Sequence, residues 1–94
     1  MATLDAGEIN EVLRGLPGWQ VLNGALHRDL EFRDFSEAFG FITRVALIAE
    51  KLDHHPDWSN SWNSVSISIV SHAEGGITAR CVDLATRTSG LLER

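Results

Sequence analysis

Three histidines stand where the chain changes direction. His54 and His55 immediately precede Pro56, and His72 follows an alternating run from Ser64 to Val70. Imidazole titrates near neutrality, so each can give or take a proton at physiological pH. Glu50 or Asp53, just upstream, could join the histidines as metal ligands. Adjacent histidines rarely ligate one ion, because consecutive side chains diverge in helix and strand alike. No HExxH motif and no thiolate pair accompanies them, which disfavours zinc. Serines crowd residues 59–71 without a GxSxG elbow, so nucleophilic catalysis is weakly supported. No GxGxxG loop suggests a nucleotide cofactor. Cys81 reads as a small buried hydrophobe with no part in chemistry, although an early helix position could lower its pKa. His27 reads as a solvent-facing strand residue without a role. Trp58 and Trp62 could stack on a flat heterocycle, but Trp62 reads better as a core aromatic. Taken alone, His54-His55-Pro56 reads better as a polar helix terminus with a proline stop, where histidine complements the helix dipole.

These residues are positioned by short elements of alternating type. Asp5 and Glu8 have capping-box spacing ahead of Ile9, Val12, Leu13 and Leu16, which predicts a helix ended by Leu16-Pro17-Gly18. Asn23-Gly24 between two extended runs predicts a hairpin, because both positions tolerate positive φ. Arg28 interrupts the apolar face of Leu26, Leu30 and Phe32, so that strand should be half covered or near an edge. Asp34 and Glu37 repeat the capping-box spacing. Phe35, Phe39, Ile42, Ala46 and Ala49 then form one helical stripe, and Phe41, Val45, Ile48 and Leu52 a second beside it. One stripe can cover the chain's own sheet, and the other calls for a partner subunit. Pro56 pushes His55 out of the α region, so this helix should end near Asp53 or His54. There the dipole would favour an imidazolium at His54. Trp58–Trp62 and Ser64–Ile69 read as strands joined at Asn63-Ser64, and Thr78 as the cap of a last helix carrying Cys81, Leu84, Ala85, Thr88, Leu91 and Leu92. The order α-β-β-α-β-β-α predicts an α+β fold, an antiparallel sheet with its helices on one face.

The chain has 94 residues, enough for one domain spanning 1–94 and short enough to invite oligomerisation. It is 44% hydrophobic and 22% charged, which excludes disordered and coiled-coil classes. Thirteen acidic against eight basic residues give a net charge of −5, unsuited to nucleic acid or anionic lipid. The lone cysteine forms no internal disulfide, no apolar run approaches a membrane span, and Met1–Gly7 lacks signal-peptide character. A soluble, cytoplasmic protein is expected.

Glu50, His54-His55-Pro56, Trp62, His72 and Asp83, at intervals of three, five, nine and ten residues, together resemble the signature of the pterin-4a-carbinolamine dehydratases. Ala49 to Trp58 looks like that family's central block, Pro17-Gly18-Trp19 like its tryptophan-bearing turn, and Asp83-Leu84-Ala85 like its last helix. The resemblance implies a four-stranded antiparallel sheet with three helices, assembled as tetramers or dimers. It implies a hydro-lyase, 4a-hydroxytetrahydrobiopterin dehydratase. The enzyme removes water from 4a-hydroxytetrahydropterin to give quinonoid dihydropterin, in recycling the tetrahydrobiopterin of aromatic amino acid hydroxylases. No cofactor of its own is implied. His54, His55 and His72 would line the pterin pocket, with His54 and His72 as the acid–base pair and His55 chiefly binding. Glu50, Asp53, Pro56, Trp58, Val70, Ser71 and Asp83 would be substrate-binding. Some relatives instead serve as dimerisation partners of a homeodomain transcription factor, or resemble assembly factors for a carbon-fixing enzyme. That leaves a non-catalytic partner protein as the alternative.

Overall fold

The computed structural model describes residues 2–92. Its elements are α1 (Ala6–Arg14), β1 (Gln20–Leu22), β2 (Ala25–Glu31), α2 (Phe35–Leu52), β3 (Asp57–Ser61), β4 (Ser64–Ile69) and α3 (Ala79–Gly90). The four strands form an antiparallel sheet ordered β1-β2-β4-β3. This is the α+β order expected from the sequence. Among the described residues, no helix is long and apolar enough to cross a membrane.

Local chemistry explains most boundaries. The α1 capping box is complete: Glu8 N–H donates to Asp5 Oδ1 and Asp5 N–H to Glu8 Oε1, at 2.8 and 2.9 Å. At α2 only half of it forms. Asp34 accepts from Glu37 N–H, but the Glu37 carboxylate accepts from Arg33 N–H, one residue further out than the box requires. Asn23 and Gly24 both have positive φ, as a tight turn between right-twisted strands demands. Thr78 is the N-cap of α3 by backbone geometry alone, and its side chain makes no capping bond.

The strand sequence alternates between two environments. Leu26, Val65, Ile67 and Ile69 are fully buried beneath the helices, against Phe41, Val45 and Ala49 of α2 and Cys81, Leu84 and Ala85 of α3. Ser64, Ser66 and Ser68 take the opposite, polar face. β2 is an interior strand, not an edge. Its Arg28 is accommodated because the guanidinium lies over Gly18, where a Cβ would come within 2.8 Å of Arg28 Cζ. The same guanidinium reaches toward Ser89 on α3. Trp19, also buried, donates from Nε1 to Ser89 Oγ at 2.8 Å, tying the β1 end of the sheet to the end of α3.

Two aromatic and histidine expectations are corrected. Trp62 is not a core residue. The β3–β4 turn falls at Trp62-Asn63, and Trp62 sits there at φ 53° and 67% exposed. Asn63 sets this position by exchanging bonds with Phe32: its carbonyl accepts from Phe32 N–H, and its Nδ2 donates to the Phe32 carbonyl. His27 does lie on the polar sheet face, yet it is buried rather than solvent-facing. Its Nδ1 meets Ser68 Oγ at 2.7 Å and its Nε2 meets Asp29 Oδ1 at 2.9 Å. The hydrogen bond from Ser66, then that from His27, holds the Asp29 carboxyl below its ordinary range.

Candidate active site

The end of α2 places the first two histidines. Asp53 takes the left-handed conformation, φ 52° and ψ 45°. Asp53 N–H bonds to the Glu50 carbonyl and His54 N–H to that of Ala49. These paired bonds are a Schellman stop, closed without glycine. Pro56 then commits the chain to β3. The helix therefore ends where the proline rule places it, and His54 and His55 leave it in different directions. His72 enters from the loop after β4, which folds back through a Ser71–Gly76 bridge.

Two adjoining cavities of about 280 and 270 Å³ occupy this end of the molecule. Both are lined by Asp53, His54, Ser71 and Ala73. One adds Glu74, Thr78 and Arg80, and the other His55, Val70 and His72. The three histidines thus converge from two chain segments.

Each histidine has its own partner. His55 Nε2 meets Glu50 Oε1 at 3.0 Å, so a carboxylate one turn back in α2 holds the ring. His72 Nε2 meets Asp57 Oδ2 at 3.2 Å, across from the first residue of β3. His54 is the most enclosed of the three, and its Nε2 lies 3.1 Å from Cys81 Sγ. Burial, then the nearby charge of Arg80, lowers the His54 pKa from its ordinary 6.5. This reverses the expectation from the helix dipole: desolvation dominates, and the neutral form of His54 is favoured.

The expected site residues divide accordingly. Asp53, Val70 and Ser71 line the histidine cavities, and Glu50 reaches one of the rings. Asp83 is not brought there. Its carboxylate pairs with Arg87 along α3, 2.9 Å away, two residues off the face that carries Cys81. Trp58 is likewise apart. It lines neither histidine cavity; from the edge strand it pairs with Ile67 and borders a groove with His27 and Ser68. Pro56 acts through the backbone, by ending the helix. Asp57, Arg80 and Cys81 were not anticipated. A signal existed for Cys81: with Thr78 as N-cap, residue 81 falls one turn into the helix on the cap's own side. Among the described residues, no three His, Cys, Asp or Glu side chains are grouped so as to hold a metal ion.

A four-stranded sheet covered on one face by helices, with three histidines gathered at the end of its long helix, defines a small α+β protein of the pterin dehydratase type. The chain belongs to that family: the model described as pterin 4 alpha carbinolamine dehydratase matches residues 2–91. Proteins of Brucella ovis and Brucella melitensis biotype 1, provisionally named pterin-4-alpha-carbinolamine dehydratases, are each 44% identical over 90 residues, covering 94% of this chain and 93% of theirs. The crystal structure of a transcriptional coactivator/pterin dehydratase from Brucella melitensis is 42% identical with a TM-score of 0.93, covering 97% of this chain and 99% of that one.

Proposed function

We propose that residues 1–94 act as one catalytic domain that dehydrates 4a-hydroxytetrahydropterin to quinonoid dihydropterin. The observation that carries the reading is the meeting of His54, His55 and His72 around one cavity. The reaction breaks the C4a–OH bond and removes the N5 proton. Hydroxide is a poor leaving group, so an acid must protonate it as the bond breaks, and a base must accept the N5 proton. His54, neutral through burial, fits the base. His72, beside the Asp57 carboxylate that would pair with its charged form, fits the acid. His55, held by Glu50, fits a binding role. Water formed from the hydroxide departs as product, and neither oxidant nor reductant is consumed.

The mechanism uses no metal and no bound cofactor. Activity should therefore survive prolonged dialysis against a chelator, and recovery only on adding zinc would overturn this part. A product returned to tetrahydrobiopterin would serve an aromatic amino acid hydroxylase in the cytoplasm. The direct test is stopped-flow measurement of dehydration on enzymatically generated 4a-carbinolamine. Replacing His54 or His72 by alanine should slow turnover by roughly two to four orders of magnitude, the usual range for a positioned acid or base. His55→Ala should mainly raise KM. A folded wild-type protein that does not accelerate dehydration would favour the partner-protein reading instead.

A further inference from the structure

We infer that Cys81 is a positioning residue for His54. Its sulfur accepts from Nε2–H, which leaves Nδ1 as the bare nitrogen that meets the substrate. The inference rests on the reading of His54 as the base, and it names the atom that does the work.

The geometry begins with the sulfur. Cys81 is fully buried, and its Sγ lies between His54 Nε2 at 3.1 Å and Thr78 Oγ1 at 3.5 Å. A thiol has one proton for two neighbours. If that proton goes to His54, Nε2 is the bare nitrogen and is occupied by the thiol. If it goes to Thr78, Nε2–H donates to sulfur and the free lone pair falls on Nδ1. Only the second arrangement leaves the ring able to accept a proton from a ligand in the cavity.

Imidazole N–H is a good donor and thiol sulfur a weak acceptor, so the bond itself is modest, and what selects the second arrangement is the free ring nitrogen that a base requires. Thr78 is itself buried, and its hydroxyl makes no helix-capping bond, so it is free to accept from sulfur. The result is a directed chain from His54 through Cys81 to Thr78. Histidines that act on substrate are commonly fixed this way, with the second ring nitrogen held by a neighbouring group. The charged or titratable groups around His54 are Asp53 and His55 beside it in the chain, Glu74 in the loop after β4, and Arg80 on α3. Among the described residues, it is Cys81 Sγ that meets Nε2.

Two measurements test the assignment, and they fail separately. Long-range proton–nitrogen NMR correlations of His54 report its tautomer without reference to turnover. Wild type should show the Nε2–H form, and Cys81→Ala a mixture with the Nδ1–H form. Cys81→Ser, with a hydroxyl as acceptor, should restore the wild-type pattern. In kinetics, Cys81→Ala should lower kcat roughly ten- to a hundredfold, the range seen when a group orienting a functional histidine is lost. KM should change little, and serine should recover most of the rate. Cys81→Asp, which sets a carboxylate against Nε2–H, should move the acidic limb of the pH profile upward by about one unit or more.

A wild-type Nδ1–H tautomer, or a tautomer unchanged in a folded Cys81→Ala protein, overturns the inference whether or not the protein is a dehydratase. Normal kcat in Cys81→Ala alongside active wild type overturns it and leaves the proposed function standing. Absent turnover in wild type with the expected tautomer shift defeats the proposed function and keeps the placement of Cys81.

Discussion

A neutral His54 has consequences for both rate and stability. Because its pKa in the folded protein lies below the ordinary 6.5, a base role predicts that the acidic limb of the kcat/KM profile also lies below 6.5. A limb above that value would show that another group sets it. The stability effect has a definite sign. As pH falls through 6.5, the unfolded chain takes up a proton at residue 54 before the folded one does, so folding weakens. The loss grows until the folded pKa is reached and is absent above neutrality. His54→Gln should remove this part of the acid sensitivity, which denaturant melts at pH 5 and 7.5 would reveal. Asp29 acts in the same direction in a more acidic window. Its lowered pKa contributes stability above 3.8 that disappears as pH falls through its folded value.

At the level of elements, two helix positions invite substitution. Thr88 of α3 is fully buried, and among the described residues its Oγ1 meets no hydrogen-bond partner. Thr88→Val keeps the shape and removes the unpaired hydroxyl, so it should stabilise the protein by about 1 kcal/mol in chemical denaturation. Asp34→Ala removes the bond to Glu37 N–H that starts α2 and should destabilise by about 1 kcal/mol. The helices and the Asn23-Gly24 turn were legible because their signals are local: a side chain meeting a backbone group three residues on, or a residue type suited to positive φ. The Trp62 turn was not, because Asn63 is fixed by Phe32, 31 residues away. The cavity was legible in part for the same reason. Pro56 announces where His54 and His55 leave the helix. Nothing local announces that Asp57 meets His72 or that Cys81 meets His54, since those contacts exist only once the sheet and α3 have packed.

For the molecule as a whole, α2 leaves apolar surface uncovered. Phe35, Phe39 and Leu47 are 51, 54 and 69% exposed, and the two phenylalanine rings lie 5.8 Å apart. A monomer of this size rarely leaves such side chains in water without a partner. We expect a dimer or tetramer associating through this helix. Sedimentation should show the assembly at micromolar concentration, and Phe39→Arg should shift it toward monomer, since a charge would have to be buried at the contact. A stable wild-type monomer would contradict the expectation. Because the histidine cavities are lined at the opposite terminus of α2, around Asp53, the variant should still dehydrate substrate.

The left-handed Asp53 is a place where robustness and performance are set against each other. A non-glycine residue holds that conformation at some cost, and glycine would relieve it while keeping the Schellman bonds. Asp53→Gly should therefore melt at a higher temperature than the natural protein. It would also loosen the peptide that aims His54, next in the chain, and so turn over more slowly. Asp53→Asn tolerates the same backbone and removes only the charge, so it should keep more of the rate than glycine does. If glycine proved both hardier and as fast, the natural aspartate would owe its place to its carboxylate alone. If it proved hardier and slower, the marginal stability here is a condition of the site working at all.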